Sequence, residues 1–172
     1  MQPITEFNIN PERDLTFERL VELPPELIWA AWTRPELIVR WFTPEPWKTV
    51  ACELELKPGG KFQTVMRSPE GQEFPHQGCY LEIAENRQLV WTNAMEPGFR
   101  PAKPPQATEA EGCGGFFFTA GIQLTPVPQG TLYRALVMHY DKASCDAHAA
   151  MGFEEGWGKA LDQLIAMVKA GI

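Results

Sequence analysis

The chain has 172 residues, a formal charge of -7 and a pI of about 5.0. That length suits one domain with a sizeable core. The negative charge, with no basic patch to offset it, sets the protein against phosphate backbones, so nucleic acid is not an expected partner. No apolar run approaches a membrane span, and the opening MQPITEFNINPERD lacks the apolar core of a secretion signal. Cys52, Cys79, Cys113 and Cys145 form no C-x-x-C pair and match no zinc spacing. They read as reduced thiols of a cytoplasmic protein.

In chain order, residues 1–13 read as an irregular arm. Residues 14–22, DLTFERLVE, alternate Leu15, Phe17 and Val21 with polar neighbours, which is a strand pattern. Pro24 and Pro25 end it and suit a helix start. Residues 26–33 then read as a short helix carrying Trp29 and Trp32, and Pro35 opens a second over 36–42. TPEPW, residues 43–47, is too proline-rich for either regular form. Strands follow at 48–56, 61–67, 73–84 and 88–95, separated by the turn signals Pro58-Gly59-Gly60, Ser68-Pro69-Glu70-Gly71 and Glu85-Asn86-Arg87. Short connections between successive strands predict an antiparallel meander.

Residues 96–114, EPGFRPAKPPQATEAEGCG, show no periodicity. A loop this long is either a surface excursion or a lid over a pocket mouth. Residues 115–124 and 131–140 form the last hairpin, turning at 126–130. A helical turn is expected at 144–149, with Ser144 or Asp141 as its cap. The chain then closes on a long helix, 151–170. At 3.6 residues per turn Phe153, Trp157, Ala160, Leu161, Leu164, Met167 and Val168 form one apolar stripe, opposite Glu155, Lys159, Asp162 and Lys169.

The expected layout is therefore α+β: a curved antiparallel sheet gripping a long C-terminal helix, with two short helices after the first strand. No repeat or linker divides it, so residues 1–172 are read as a single domain with its core at about 14–170. Six tryptophans and ten phenylalanines are available to line a space between sheet and helix.

Several strings in this order resemble one family: RWFTPEPW at 40–47, LKPGGKF at 56–62, MRSPEGQEFPHQGCYLEI at 66–83, RQLVWTNA at 87–94 and GFEEGWGKALDQL at 152–164. Over about residues 15–168 the chain resembles the helix-grip START-like (SRPBCC) superfamily. Within that superfamily it is similar to the family of homologues of the activator of heat-shock protein 90 ATPase, close to the polyketide-cyclase and dehydrase-type domains. The resemblance implies a helix-grip fold and a pocket for apolar or aromatic small molecules. It implies no cofactor and no established reaction. A stress-response role and a chaperone partner enter only through the family's activators. Edge strands and surface aromatics leave a homodimer open.

The expected ligand-binding set is Trp41, Phe42, Trp47, His76, Tyr80, Trp91, Phe118, Phe153 and Trp157. Most of these aromatics are equally suited to a plain core. Trp157 stands out because Gly156 and Gly158 bracket it, and glycine costs about 1 kcal/mol against alanine inside a helix. The pair suggests either close backbone approach or room left for something. An alternative reading is a cyclase or dehydratase using His76, Tyr80 and Glu82, taken as one phase of a strand, for acid–base work. His139, Asp141 and His148, with Asp146 and Glu154 nearby, have suitable donor atoms for zinc or iron, but HYDKASCDAH matches no established spacing. No metal is therefore expected, and His139 should end a strand with its ring hydrogen-bonded. Arg67 and Arg134 could anchor a carboxylate but read as solvent-facing strand residues. There is no G-x-S-x-G, P-loop or G-x-G-x-x-G pattern to support hydrolase, nucleotide or dinucleotide chemistry.

Overall fold

Seven strands pair into one antiparallel sheet, and a seventeen-residue helix lies along its concave face. The computed structural model of the chain describes residues 2–104 and 115–172. The elements are β1 (Asp14–Val21), α1 (Pro25–Thr33), α2 (Pro35–Trp41), β2 (Lys48–Leu54), β3 (Lys61–Arg67), β4 (Glu73–Ala84), β5 (Gln88–Thr92), β6 (Met95–Glu96), β7 (Arg100–Pro101), β8 (Phe118–Val127), β9 (Gly130–His139), α3 (Lys142–Ala150) and α4 (Phe153–Lys169). The main sheet runs β1-β9-β8-β5-β4-β3-β2. Strands β2 to β5 form the expected meander, β8 and β9 a hairpin, and β1 closes on β9. Among the described residues no helix is long and apolar enough to cross a membrane.

The sheet closes on α4 because its stripe and the inward phase of the strands are both apolar. Leu161 and Leu164 are fully buried, flanked by Phe153, Ala160, Met167 and Val168. They pack with Tyr133, Ala135 and Val137 of β9, Ala120 and Ile122 of β8, and Leu89 and Trp91 of β5. The polar side of α4 also does structural work. Gln163 donates to the carbonyls of Trp41 and Thr43 and accepts from the Glu45 amide, while Lys159 donates to the Glu45 carbonyl. These four contacts hold the proline-rich 43–47 segment, which cannot satisfy its own backbone, against the helix.

Four local features depart from the sequence expectation. The stretch read as one helix from residue 151 starts at Phe153. Gly152 adopts a left-handed conformation, φ 85°, that turns α3 into α4. Helix α3 is longer than the expected turn and is capped by Asp141, whose carboxylate accepts from the Ser144 amide at 2.9 Å. Residues 96–101, expected within a loop, form with Met95 the small β6–β7 ladder. It docks on the β2–β3 turn through the Gly98 amide, which donates to the Gly59 carbonyl. The rest of the expected lid, residues 105–114, lies outside the described residues. Finally, β4 carries a bulge between Tyr80 and Glu82. In the last hairpin only Pro128 and Gln129 lie between the strands, and Gly130 is obligatory there, since a Cβ would sit 2.2 Å from the Val21 carbonyl oxygen.

The arm at 2–13 is irregular but docked on the sheet's other face. The Thr5 amide donates to Glu82, the Gln88 side-chain amide donates to the Thr5 carbonyl and to Glu82, and Arg87 donates to the Gln2 carbonyl. Gln88, fully buried, is thereby satisfied.

Candidate functional site

Between the concave face and α4 lies a cavity of about 540 Å³, partly open to solvent. Trp32 of α1, Trp41 of α2 and Phe42, which caps α2, form one wall. Phe62, Thr64 and Met66 of β3, His76 and Gly78 of β4, Trp91 of β5, Phe118 and Ala120 of β8 and Val137 of β9 form the sheet side. Phe153, Gly156, Trp157 and Ala160 of α4, with His148 of α3, complete the helix side. Met95, Glu96, Ala102 and Lys103, carried by the β6–β7 hairpin and its exit, stand along the same space. The volume falls within the range of ordinary small-molecule sites.

Aromatic contacts fix the walls. Trp32 packs on Trp41 at 5.0 Å, Trp91 at 5.3 Å and Phe42 at 5.6 Å between ring centroids, and stacks on Trp157 at 6.2 Å. The Trp157 indole N–H donates to the Tyr133 hydroxyl at 2.9 Å, which locks that ring at the helix–sheet seam. Tyr133 is wholly buried, and burial holds its phenol well above the usual range. Asn93 secures the start of β8: its side-chain amide donates to the Phe116 carbonyl at 3.0 Å, and its oxygen accepts from the Phe118 amide at 2.8 Å.

Of the residues expected to bind a ligand, Trp41, Phe42, His76, Trp91, Phe118, Phe153 and Trp157 line this cavity, and Trp47 and Tyr80 do not. Trp47 instead packs on Phe74 of β4 at 5.6 Å, because the segment tied to Gln163 and Lys159 carries it past the cavity. Tyr80 is fully buried against Phe62 at 5.2 Å, and its hydroxyl has no hydrogen-bond partner among the described residues. Burial, with a smaller push from Cys52, holds its phenol far above the ordinary value, so it is no acid near neutrality. Tyr80→Phe removes an unsatisfied polar atom. It should therefore leave stability unchanged or raise it by about 1 kcal/mol, measured by denaturant unfolding.

Glu82 is not in phase with His76 and Tyr80. The bulge shifts the register by one residue and turns Glu82 to the outer face, opposite Val90, where it accepts from Thr5 and Gln88. The acid–base trio expected from strand phase therefore does not assemble. His76 alone of the three stands on the cavity, and burial lowers its pKa. Arg67 is paired with Glu73 at 2.6 Å. Arg134 alternates with the inward Tyr133 and Ala135, so it faces away from the cavity.

The carboxylates near the two histidines are engaged elsewhere: Asp141 caps α3, Asp146 pairs with Lys142 at 2.8 Å, and Glu154 is exposed in the first turn of α4. Among the described residues no group of three metal-ligating side chains converges. His139 does end a strand, buried and hydrogen-bonded, and its ring nitrogens meet the Arg13 carbonyl and His148. Burial and the neighbouring His139 push His148 down to about 4.

The expected ligand-binding set left out Trp32, Phe62, Thr64 and Met66, which also line the cavity. The signal was available for the last three, since they alternate along β3, and Thr64 pairs with His76 and Phe62 with Gly78 across the ladder.

A curved antiparallel sheet folded around a C-terminal helix, with an apolar hollow between them, defines a START-like helix-grip protein. The chain belongs to the Activator of Hsp90 ATPase homolog 1-like family, whose model matches residues 22–169. Among solved structures it is similar to protein NE0264 of Nitrosomonas europaea, at 40% identity and a TM-score of 0.86, covering 94% of this chain and 97% of that one. A Rhodobacter sphaeroides protein at 23% identity (TM-score 0.77, covering 96% and 98%) shares the fold. So does the AHSA1-like protein of Aeromonas hydrophila at 20% identity (TM-score 0.63, covering 91% and 92%). No curated protein matches the chain.

Proposed function

We propose that this protein binds an apolar or aromatic small molecule in the cavity between the sheet and α4. The observation that carries this reading is a hollow of about 540 Å³ whose walls are mostly indole, phenyl and aliphatic groups. A protein interior is normally packed to crystal-like density, so a space of this size inside an aromatic shell is unusual unless something fills it. Two tryptophans on the wall, Trp32 and Trp157, stack on each other and would report an occupant directly.

A cyclase or dehydratase reading is left with His76 and without the other two groups it needs. A chaperone-directed role, suggested by the family's name, calls for one apolar docking face. Among the described residues the exposed large apolar side chains are Leu20, Leu56, Phe99, Tyr140, Met151 and Ile172, and no single strand or helix carries more than one of them.

The test is titration with 2-methoxynaphthalene, an apolar aromatic with no hydrogen-bond donor, followed by tryptophan fluorescence. Saturable one-to-one quenching is expected. A linear, unsaturable response over the ligand's solubility range would overturn the reading.

A further inference from the structure

His139 ends β9 and His148 lies in the last turn of α3, yet the two rings meet inside the protein, each about nine-tenths buried. His139 Nε2 lies 2.9 Å from His148 Nδ1, and His139 Nδ1 lies 2.8 Å from the Arg13 carbonyl oxygen. A carbonyl can only accept, so His139 Nδ1 carries the hydrogen. In a neutral imidazole Nε2 is then the acceptor, so His148 Nδ1 must donate to it. That leaves His148 Nε2 with a lone pair and no hydrogen.

The surroundings of His148 favour this form. Phe116, Phe153 and Phe118 enclose His148 at centroid distances of 5.0, 5.5 and 6.2 Å, and among the described residues no carboxylate bonds to either ring. The same burial disfavours the charged ring. His148 Nε2 makes no hydrogen bond among the described residues. His148 is itself part of the cavity wall. Two other polar groups on that wall are already engaged: the Trp157 N–H with Tyr133, and the Asn93 amide with Phe116 and Phe118.

We propose that His148 Nε2 is a polar recognition point of the cavity, and that it selects apolar aromatic ligands carrying a hydrogen-bond donor, a phenolic hydroxyl or an aromatic N–H. This rests on the small-molecule reading above and narrows it to a ligand class. A phenol would donate to Nε2 while its ring lies among the phenylalanines. The relay through His139 to the Arg13 carbonyl fixes which nitrogen is bare, much as a second hydrogen bond fixes a catalytic histidine's tautomer.

The experiment compares 2-naphthol with 2-methoxynaphthalene, which share a ring system and differ in the donor, at about pH 7. Wild-type protein should bind both, the naphthol about ten-fold tighter. In His148→Phe, which keeps an aromatic ring but removes the acceptor, the preference should fall below about two-fold while the ether still binds. In wild-type protein with nitrogen-15-labelled histidine, the Nε2 resonance of His148 should move with the naphthol and stay in place with the ether. That readout stands even if the variant folds poorly. Equal affinity of the wild type for the two ligands, an unmoved Nε2 resonance, or a preference retained in His148→Phe would overturn the proposal while leaving the cavity reading intact. Failure of both ligands to bind would overturn both.

Discussion

Gly156→Leu is expected to weaken 2-methoxynaphthalene binding by about a hundred-fold while leaving the fold as stable as before or more so. Gly156 sits in the first turns of α4 on the cavity wall, and a Cβ built there meets nothing within 4 Å. The missing side chain thus corresponds to space in the cavity. A leucine would project into the volume the ligand needs. Overfilling a packed apolar space costs about 1–3 kcal/mol, which at its upper end is about a hundred-fold in affinity. The helix responds in the opposite sense, because replacing glycine by leucine gains about 0.8 kcal/mol of propensity. Gly158 is the control. A Cβ there would rest at ordinary contact distance, 3.7 Å, from the Phe17 ring on β1. Gly158→Ala should therefore gain a similar helix increment without loss of affinity. Isothermal titration paired with thermal melts separates the two effects. A folded Gly156→Leu protein that binds as well as wild type would place the ligand somewhere else.

The two glycines illustrate what the sequence could and could not convey. Their oddity inside an amphipathic helix was legible, and so was the stripe that α4 buries. Which glycine leaves room and which merely touches a neighbour depends on where β1 lies, and that is a tertiary fact. The same division runs through the sheet. Alternation and turn residues identify its seven strands, since each buries one face and the period of two survives in the residue pattern. A bulge leaves no comparable mark. The extra residue at Leu81 flips Glu82 from the cavity side to the arm side, and one such slip dissolved an acid–base trio inferred from phase. The β6–β7 ladder escaped notice because two-residue strands have no period to detect.

The histidines are a subtler case. Their donor chemistry pointed to one another's neighbourhood, and the metal reading was built on the same pair. What the sequence withheld is that β9 and α3 bring the two rings together, at 2.9 Å between nitrogens, with Phe116 and Phe153 packed on the His148 ring. The aromatic inventory was likewise visible as composition. Its partition was not: Trp32 went to the cavity wall and Trp47 to an unrelated contact with Phe74.

Lowering the pH from about 7 to about 4 should destabilise the protein by about 2 kcal/mol through His148, on top of any general acid effect. In the unfolded chain this ring titrates near its ordinary value of 6.5, and in the fold burial and His139 hold it at about 4. Because the folded value is the lower one, the unfolded state takes up the proton first. The stabilisation is therefore complete above 6.5, is lost progressively as the pH falls through the window, and is gone below about 4. The whole shift corresponds to about 3 kcal/mol, and solvent reaching the ring from the cavity screens it to about 2. His76, also lowered by burial, acts in the same direction, whereas Asp141 and Glu36 are lowered carboxylates whose contributions fade at more acidic pH. For a chain of this length the melting temperature should drop by about 4–8 °C between pH 7 and pH 4.5. In His148→Phe most of that slope should vanish, because a phenyl ring has no proton to accept. A wild-type melting temperature that stays flat across the window would mean that the imidazole pair can take up charge in place, and the neutral relay inferred from its geometry would have to be abandoned.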